Sequence, residues 1–291
     1  MTHPFVKMNG AGNDFIVVNA MERPFSPTPD QVRALADRAT GVAGGCDQLI
    51  AIEPSSSGDA FMRVWNADGG TVETCGNALR CVGWLLTQAN GRTQVAIDTL
   101  GGMTTAWRVS GRVGSGDSAG STNAARIKVD MGPPRLAWDQ VPLAEDMDTR
   151  GIELQVGPID APVLHTPGAL SMGNPHVVFF IDHVPDDAFV RATGSLIEHH
   201  PLFPEGVNVG FAHVEARGRI RLRVWERGAG LTRACGTGAC AALVACARRG
   251  LTDRAATVVV DGGELHIEWR EADDHVLMTG PVQIETTGTL P

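Results

Sequence analysis

Short apolar runs dominate the sequence, and most are bounded by glycine, proline or asparagine. Runs of about four to eight residues that are rich in β-branched and aromatic side chains are typical of β-strands. The pattern therefore predicts a protein built mostly from strands. The runs that carry this prediction begin at Phe15, Ala60, Arg126, His176, Arg219, Thr257 and Glu264.

Helical patterns are fewer. The stretch 29–40 begins with proline and aspartate and ends before a glycine, which is typical of a helix with defined ends. The stretch 76–90 places Leu79 and Val82 on one face together with two later leucines, and it stops at an Asn-Gly pair. The stretch 236–250 has a similar composition. The sequence thus predicts three helices among many strands.

One segment occurs twice. VWNADGGTVETCGNALRC begins at Val64 and VWERGAGLTRACGTGACA begins at Val224, so equivalent positions lie 160 residues apart without a gap. This spacing is far too long for a solenoid repeat and indicates the duplication of one mostly-β domain. Two further pairs recur in the same order: GNDFIVV from Gly12 with GNPHVVF from Gly173, and VAIDTLGG from Val95 with VVVDGGEL from Val258.

The domain organisation follows from this duplication. A chain of 291 residues is long enough for two domains. We expect an N-terminal domain over 1–124 and a C-terminal domain over 125–275, with 276–291 as a segment that can return to the first domain. The Gly/Ser-rich stretch from Ser110 to Asn123 is expected to be a hairpin tip or an interdomain loop.

Composition excludes several classes of function. The net charge is −9 and no basic run occurs, which argues against a nucleic-acid partner or a membrane anchor. The sequence has no signal-peptide pattern and no long apolar span, so we expect a cytoplasmic protein with reduced cysteines. Only Lys7 and Lys128 are lysines, and pyridoxal phosphate enzymes need a lysine. We therefore expect no cofactor, and the cysteine spacing predicts no metal site.

The two copies of the repeat each place a cysteine directly before a predicted helix. Cys75 precedes Gly76-Asn77, and Cys235 precedes Gly236-Thr237. A helix N-terminus has free backbone N–H groups and the positive end of the helix dipole, so a carboxylate can bind there. The same field favours a thiolate, so we expect the pKa of both cysteines to lie below about 8.5.

Two equivalent thiols suit one class of reaction. One group removes a proton from one face of a carbon, and the other returns a proton to the opposite face. If both helix N-termini bind one substrate carboxylate in a pocket between the domains, the developing charge is stabilised there. The residues therefore favour racemisation or epimerisation, with Cys75 and Cys235 as general base and general acid.

The remaining four cysteines, Cys46, Cys81, Cys240 and Cys246, are expected to be buried small hydrophobic residues. Cys75 and Cys235 differ from them because both stand at polar, Gly-flanked helix starts.

These motifs resemble those of the diaminopimelate epimerase family along nearly the whole chain. The matching segments are KMNGAGNDF, CDQL, NADGGTVETCGNALRC, MGNPH, FPEGVNV and WERGAGLTRACGTGACA. The resemblance implies a cofactor-independent epimerase that converts LL-2,6-diaminopimelate to the meso form in lysine and peptidoglycan-precursor synthesis. It implies Cys75 and Cys235 as the catalytic thiols.

The resemblance also implies substrate contacts. Gly76, Asn77, Gly236 and Thr237 hold the reacting carboxylate, and Asn13 and Gln48 lie near the reacting centre. The distal end of the substrate is bound by Asn66, Asn174, Asn208, Glu226 and Arg227, and the pKa of the cysteines is tuned by His176 and Glu226. Other interpretations of single residues remain open: the asparagines 13, 174 and 208 can be turn formers, His176 a structural histidine, and Glu226-Arg227 a solvated charge pair.

The implied fold is of the α/β (α+β) class, with two pseudo-symmetric, mostly-β domains that each surround a central helix and form a cleft. The implied assembly is a homodimer. Ala78 stands where the family commonly has glycine, and Cys46 where another small residue is common. The chain has no tyrosine, so a dimer contact that some members make through a C-terminal tyrosine must differ here.

Three other functions are compatible with parts of the pattern. The first is a proline or hydroxyproline racemase of the same fold. In such racemases the first motif resembles Cys-Gly-His rather than Cys-Gly-Asn, so Asn77 favours diaminopimelate as the substrate. A cysteine hydrolase that uses His176 does not account for two equivalent cysteines. A non-catalytic binding or metal-thiolate protein is the third alternative, and the irregular cysteine spacing argues against it.

Overall fold

The computed structural model describes residues 3–109 and 125–290. The chain forms two compact units, the first containing residues up to Asp130 together with those from Thr279 onwards, and the second Met131–Met278. The strand 125–130, which the sequence analysis assigned to the second domain, thus lies in the first unit. The predicted loop from Ser110 to Asn123 lies outside the described residues.

In its described residues, the first unit is a mixed sheet with two α-helices. Its helices are α1 (Pro29–Ala36) and α2 (Gly76–Asn90). Its strands are β1 (Pro4–Gly10), β2 (Asn13–Asn19), β3 (Gln48–Glu53), β4 (Ala60–Asn66), β5 (Thr71–Val72), β6 (Gln94–Asp98), β7 (Thr104–Val109) and β8 (Ala125–Asp130).

The second unit has the same kinds of element. Its helices are α3 (Asp187–Glu198) and α4 (Gly236–Arg248). Its strands are β9 (Gln155–Val156), β10 (Leu164–His165), β11 (Gly168–Ser171), β12 (Pro175–Phe180), β13 (Asn208–Ala216), β14 (Arg219–Glu226), β15 (Gly230–Thr232), β16 (Ala255–Val260) and β17 (Gly263–Trp269). The last strand, β18 (Val276–Thr289), begins in this unit and continues into the first, where Gln283 to Thr289 pair with β1.

The strand order confirms the duplication. The first unit has the order β1-β2-β3-β4-β6-β7, and the second has β11-β12-β13-β14-β16-β17. In both orders the second and third strands pair in parallel, as do the fourth and fifth, while the remaining pairs are antiparallel. A short strand pairs with the fourth strand in each unit.

Each unit surrounds one central helix, as expected. Helix α2 packs against β1, β2, β6, β7 and β8, and α4 packs against six strands of its own unit. Leu79 and Val82 are fully buried in α2, and most side chains of α4 are buried because alanine and cysteine predominate. The predicted bounds of α2 are confirmed, and Gly91 ends it in the left-handed conformation with φ of 70°.

Two helices differ from the sequence prediction. Helix α1 ends at Ala36, because the Asp37 carboxylate accepts hydrogen bonds from Ala39 and Thr40 and stabilises a turn instead. Helix α3 was not predicted, since its centre contains Thr193 and Gly194, which are poor helix formers. It is nevertheless capped by Asp186, whose side chain accepts from the Phe189 N–H. In the described part of the chain, no helix combines the length and apolarity needed to cross a membrane.

Candidate active site

Cys75 and Cys235 occupy the same position in the two units, as the residues that cap the N-termini of α2 and α4. The backbone is extended at both, with φ/ψ of −141°/113° at Cys75 and −124°/110° at Cys235. Their carbonyls accept the first helical hydrogen bonds, from Leu79 and Ala239, each at 2.9 Å. The structure therefore confirms that each cysteine stands at the start of a central helix.

In the first unit, the predicted substrate residues lie where three strands begin or end. Asn13 and Gln48 are the first residues of the parallel strands β2 and β3, and Asn66 is the last residue of the antiparallel strand β4. Strand direction therefore brings them to one sheet edge. The Gln48 amide donates to Asn66 Oδ1 at 2.9 Å, and Asn77 Nδ2 donates to Asn13 Oδ1.

Behind Asn13 lies a cluster of charges. Arg38 donates to Asp14 Oδ2 at 2.6 Å and to Asp47 Oδ1 at 2.6 Å, and Lys7 Nζ is 3.3 Å from Asp14 Oδ2. Partial burial acts to raise the pKa of Asp14, but the hydrogen bond and charge of Arg38 outweigh it and lower this pKa to about 2. The cluster fixes the starts of β2 and β3 relative to each other.

Arg80 lies in the second turn of α2 and is 0% exposed. Its Nη1 donates to Asn77 Oδ1 at 2.8 Å. A fully buried guanidinium is uncommon in proteins, because removing this cation from water is costly. Its position next to a predicted substrate residue connects it to the site.

The second unit repeats this arrangement with different side chains. Asn174 precedes β12, and its Nδ2 donates to Thr237 Oγ1 at 3.3 Å. Asn174 Oδ1 lies 2.9 Å from His176 Nε2, so this ring nitrogen carries the proton when the bond forms. The Thr237 hydroxyl is in turn 3.5 Å from the Cys235 sulfur. A continuous chain of polar contacts thus joins His176 to Cys235.

His176 is buried and neutral. It is 1% exposed, and burial, followed by the charge of Arg227, lowers its pKa to about 3. With the proton on Nε2, the Nδ1 atom carries a lone pair and can accept a hydrogen bond.

Cys235 is surrounded by three polar groups, namely the Thr237 hydroxyl, the Gly238 N–H and the Glu226 carboxylate. The Gly238 N–H donates to its sulfur at 3.3 Å, and Glu226 hydrogen-bonds the thiol. Glu226 is the last residue of β14, and its Oε1 accepts a hydrogen bond of 2.5 Å from the Thr232 hydroxyl on β15.

The expected low pKa of the cysteines is wrong for Cys235. Burial raises the pKa of this thiol well above its ordinary value of 9.0, and the adjacent Glu226 carboxylate raises it further. The helix N-terminus does supply the Gly238 N–H, which lowers the pKa, but desolvation of a side chain that is 4% exposed is the larger effect.

Of the residues predicted for the distal end of the substrate, Asn208, Glu226 and Arg227 come together at the turn after β14. Asn208 begins β13; its Nδ2 donates to the Pro175 carbonyl at 2.7 Å and its Oδ1 accepts from the Arg227 N–H at 3.0 Å. The exposed Arg227 guanidinium donates to the Glu205 carbonyl at 2.8 Å. Asn208 therefore fixes the backbone of the turn that carries Glu226 and Arg227.

The buried carboxylate of Glu198 also stabilises this turn. Glu198, at the end of α3, is 5% exposed. Its Oε2 accepts from Trp225 Nε1 at 2.7 Å and its Oε1 accepts from the Gly228 N–H at 2.7 Å.

The remaining four cysteines are buried, as the sequence predicted: Cys46, Cys81, Cys240 and Cys246 are at most 1% exposed. Burial raises the pKa of Cys46 to about 11 and those of Cys81 and Cys246 to about 12. None of the six cysteines forms a disulfide in the structure.

Four residues of the site were not predicted from the sequence: Asp47, Arg80, Glu198 and Thr232. Their hydrogen-bond partners lie 3 to 34 positions away along the chain. Arg80 carried a signal, since an arginine among apolar residues of a predicted buried helix needs a polar partner. The other three depend on strand pairing and on an unpredicted helix.

Solved structures that share this fold include a hydroxyproline epimerase and a phenazine biosynthesis protein. A hydroxyproline epimerase from Agrobacterium vitis, solved with bound trans-4-hydroxy-L-proline, matches with a TM-score of 0.63 at 14% identity over 99% of this chain and 91% of that one. A phenazine biosynthesis protein from Bacillus anthracis also has a TM-score of 0.63, at 12% identity over 100% and 99% of the two chains. At these identities the similarity defines the fold alone.

Sequence comparison identifies the family. The model of the diaminopimelate epimerase family matches residues 5–137 and 168–285. A diaminopimelate epimerase from a Caulobacter species is 59% identical over 100% of this chain and 98% of its own length, and one from Phenylobacterium zucineum is 55% identical over 100% and 99%. The chain belongs to the diaminopimelate epimerase family.

Proposed function

We propose that this protein interconverts LL-2,6-diaminopimelate and meso-2,6-diaminopimelate with two cysteine side chains and no cofactor, and so serves lysine and peptidoglycan-precursor synthesis. The observation that carries the proposal is the duplicated helix start, in which Cys75 and Cys235 cap two buried helices and are each followed by glycine. The names of the full-length relatives support the choice of substrate.

The reaction needs one thiolate and one thiol. The thiolate accepts the α-proton from one face of the carbon, and the electron pair is delocalised into the substrate carboxylate. The thiol then gives its proton to the opposite face, so the two cysteines exchange protonation states and the substrate is inverted. No electrons are gained or lost, and the reverse reaction follows the same path.

The substrate carboxylate becomes more negative in this step. Backbone N–H groups of Gly76, Asn77, Gly236 and Thr237, at the N-termini of α2 and α4, can donate to it. Donors that are already oriented stabilise developing charge without reorganisation, which lowers the barrier.

Glu226 and His176 are proposed to control the protonation of the thiols. Glu226 can take the proton of Cys235 when this residue must act as the base, because the two side chains are hydrogen-bonded. His176 is neutral and offers Nδ1 as an acceptor. Arg227 can bind the distal carboxylate through its fork of N–H donors, and Glu226 can pair with the distal ammonium.

The second candidate is a racemase of the proline or hydroxyproline type. The hydroxyproline epimerase with a TM-score of 0.63 favours it. Asn77 argues against it. The corresponding motif of proline and hydroxyproline racemases resembles Cys-Gly-His, with histidine at the position of Asn77. The Asn77 amide also already donates a hydrogen bond to Asn13.

A chiral chromatographic assay separates the two functions. The purified protein is incubated with LL-diaminopimelate, L-proline or trans-4-hydroxy-L-proline, without added cofactor. We expect the wild-type protein to convert only LL-diaminopimelate, with meso-diaminopimelate as the product. We expect no product from Cys75→Ala or Cys235→Ala. Inversion of proline or hydroxyproline instead, or full activity in either variant, contradicts the proposal.

A cytoplasmic location and a homodimeric state are also proposed. Six cysteines that form no disulfide suit a reducing compartment. Light scattering of the purified protein tests the second point: a mass of twice 30.7 kDa is expected for the dimer, and a mass of 30.7 kDa contradicts it.

A further inference from the structure

We propose that Arg80 is a positioning residue, which fixes the direction of the Asn77 and Asn13 side-chain amides and acts on substrate binding through them. The proposal rests on the proposed function in one respect, namely that these two amides contact the substrate. The geometry that carries it lies within the first unit.

Arg80 lies at one end of a row of hydrogen bonds and can only donate. An arginine side chain has five N–H donors and no acceptor. Arg80 Nη1 lies 2.8 Å from Asn77 Oδ1, and only the oxygen of an amide can accept this bond. The amide of Asn77 therefore has one orientation, with Oδ1 towards Arg80 and Nδ2 away from it.

The second end can only accept. Asn77 Nδ2 donates to Asn13 Oδ1, which leaves Asn13 Nδ2 to donate to Asp47 Oδ2 at 3.4 Å. An ionised carboxylate has no proton to give. Asp47 is itself held by Arg38, which donates to its other oxygen at 2.6 Å.

In a row of amides between a group that only donates and a group that only accepts, all hydrogen bonds must run in the same direction. The order Arg80, Asn77, Asn13, Asp47 is called the amide relay below. An asparagine amide can otherwise rotate by half a turn, which exchanges its N–H groups and its oxygen at little cost. The relay prevents this exchange, so each amide always presents the same face, with one further N–H and one further lone pair, to the substrate.

The second unit shows where such a cation is not needed. The position equivalent to Arg80 is Cys240, and the position equivalent to Asn77 is Thr237. A threonine hydroxyl rotates to suit its partners and has no two-fold ambiguity. The buried arginine thus occurs in the copy of the duplicated domain that has an amide at this position, which fits a role in orienting that amide.

The experiment compares three Arg80 variants and one control. Arg80→Lys keeps a buried cation that can only donate. Arg80→Gln has a side chain that can donate or accept, so it no longer selects one orientation, and Arg80→Met removes the donor. Arg248→Gln, in the last turn of α4, is the control, because this half-buried arginine donates to Thr149 outside the site.

The expected result is a selective loss of substrate binding. For Arg80→Gln and Arg80→Met we expect KM for diaminopimelate to rise by about 10-fold, the factor that one hydrogen bond contributes, with kcat changed less. Arg80→Lys is expected to restore most of the KM, and Arg248→Gln to leave KM unchanged. An unchanged KM in folded Arg80→Gln overturns the proposal.

A double-mutant cycle separates positioning from general packing. Because Arg80 acts through Asn77, the Arg80→Gln/Asn77→Ala protein should have the KM of Asn77→Ala alone. Additive effects contradict the relay. If the Arg80 variants do not fold, Asp47→Asn is the alternative at a partly exposed position. It replaces a group that only accepts by an amide that can also donate, so it no longer selects one orientation of Asn13 and is expected to raise KM by a similar factor.

A spectroscopic measurement tests the amide relay independently of the proposed function. In protein labelled with ¹⁵N-asparagine, the side-chain signals of Asn77 and Asn13 are assigned by their loss in the alanine variants. We expect slow proton exchange at both amides in the wild type and faster exchange in Arg80→Gln. Equal exchange rates overturn the relay even if diaminopimelate is a substrate, and slow exchange supports it even if the substrate differs.

Discussion

The Thr232 hydroxyl donates a hydrogen bond of 2.5 Å to Glu226 Oε1, and the same carboxylate is a partner of the Cys235 thiol. Thr232 lies on β15, which pairs with β14 beside Glu226. The bond holds one carboxylate oxygen, so it limits rotation of the Glu226 carboxylate relative to Cys235.

Replacing Thr232 by valine removes this hydroxyl and keeps the side-chain shape. We expect kcat to fall by about 10- to 100-fold, since hydrogen bonds to charged groups contribute about 1.5–3 kcal/mol, while KM changes little. Thr232→Ser should restore kcat. The control is Thr71→Val in β5, the equivalent short strand of the first unit, where the threonine is exposed. A wild-type kcat in Thr232→Val would show that the bond has no part in the reaction.

Glu198→Gln tests the support of the turn that carries Glu226 and Arg227. A glutamine has only one oxygen, so its NH₂ group must face either the Trp225 N–H or the Gly228 N–H, which are both donors. We expect a loss of about 1.5–3 kcal/mol in the free energy of unfolding, measured with urea, and a higher KM. Glu271→Gln, at an exposed position, should change neither quantity. Equal stability of the two variants would contradict the role of Glu198.

His176 makes stability depend on pH. Its pKa is lowered from 6.5 to about 3 in the folded protein. Below pH 6.5 the unfolded chain binds a proton that the folded protein does not, so this contribution to stability is full above that pH and is lost as the pH falls towards the folded value. The loss is at most about 1.4 kcal/mol for each pH unit.

The measurement is the free energy of unfolding of wild type and His176→Gln between about pH 7 and pH 4. The variant should have a shallower decline, because glutamine keeps a donor for Asn174 without titrating. His165→Gln, at an exposed histidine, should follow the wild type. Parallel curves for wild type and His176→Gln would mean that His176 is not buried in its neutral form.

Gly194 tests the packing of α3, the helix that the sequence did not predict. A Cβ at this position would lie 2.5 Å from both Cβ and Cγ of Trp225, the residue before Glu226. Gly194→Ala is therefore expected to reduce the free energy of unfolding by about 1–3 kcal/mol and to lower activity. Gly218→Ala, where the same atom meets open space, is the matched control. A stable and fully active Gly194→Ala would contradict the close contact of α3 with β14.

Much of the fold follows from local sequence patterns. Every strand predicted from an apolar run begins within a strand of the structure, and the predicted start and end of α2 are both confirmed. These elements combine strong β propensity or a helical period with Gly and Asn at their ends, so local and tertiary preferences agree. Helix α3 was missed because its Thr193-Gly194 centre has low helix propensity. Gly194 packs closely against Trp225, and the sequence does not show this contact.

Less of the candidate site than of the fold could be predicted from the sequence. The duplication identified Cys75 and Cys235 because their positions recur, whereas Thr232 has no polar counterpart at Val72 in the other copy. The pKa of Cys235 was predicted in the wrong direction, because a helix N-terminus is visible in the sequence and burial against Glu226 is not. Partners brought together by strand register require the folded structure.

The most direct test of the central claim is the uptake of solvent deuterium by LL-diaminopimelate in D₂O, without added cofactor, followed by mass spectrometry and NMR. The two-cysteine account predicts that each newly formed meso molecule carries one deuterium at the inverted α-carbon, and that Cys75→Ala and Cys235→Ala form no meso product. Inversion with the original proton retained, or inversion by either cysteine variant, would contradict the account.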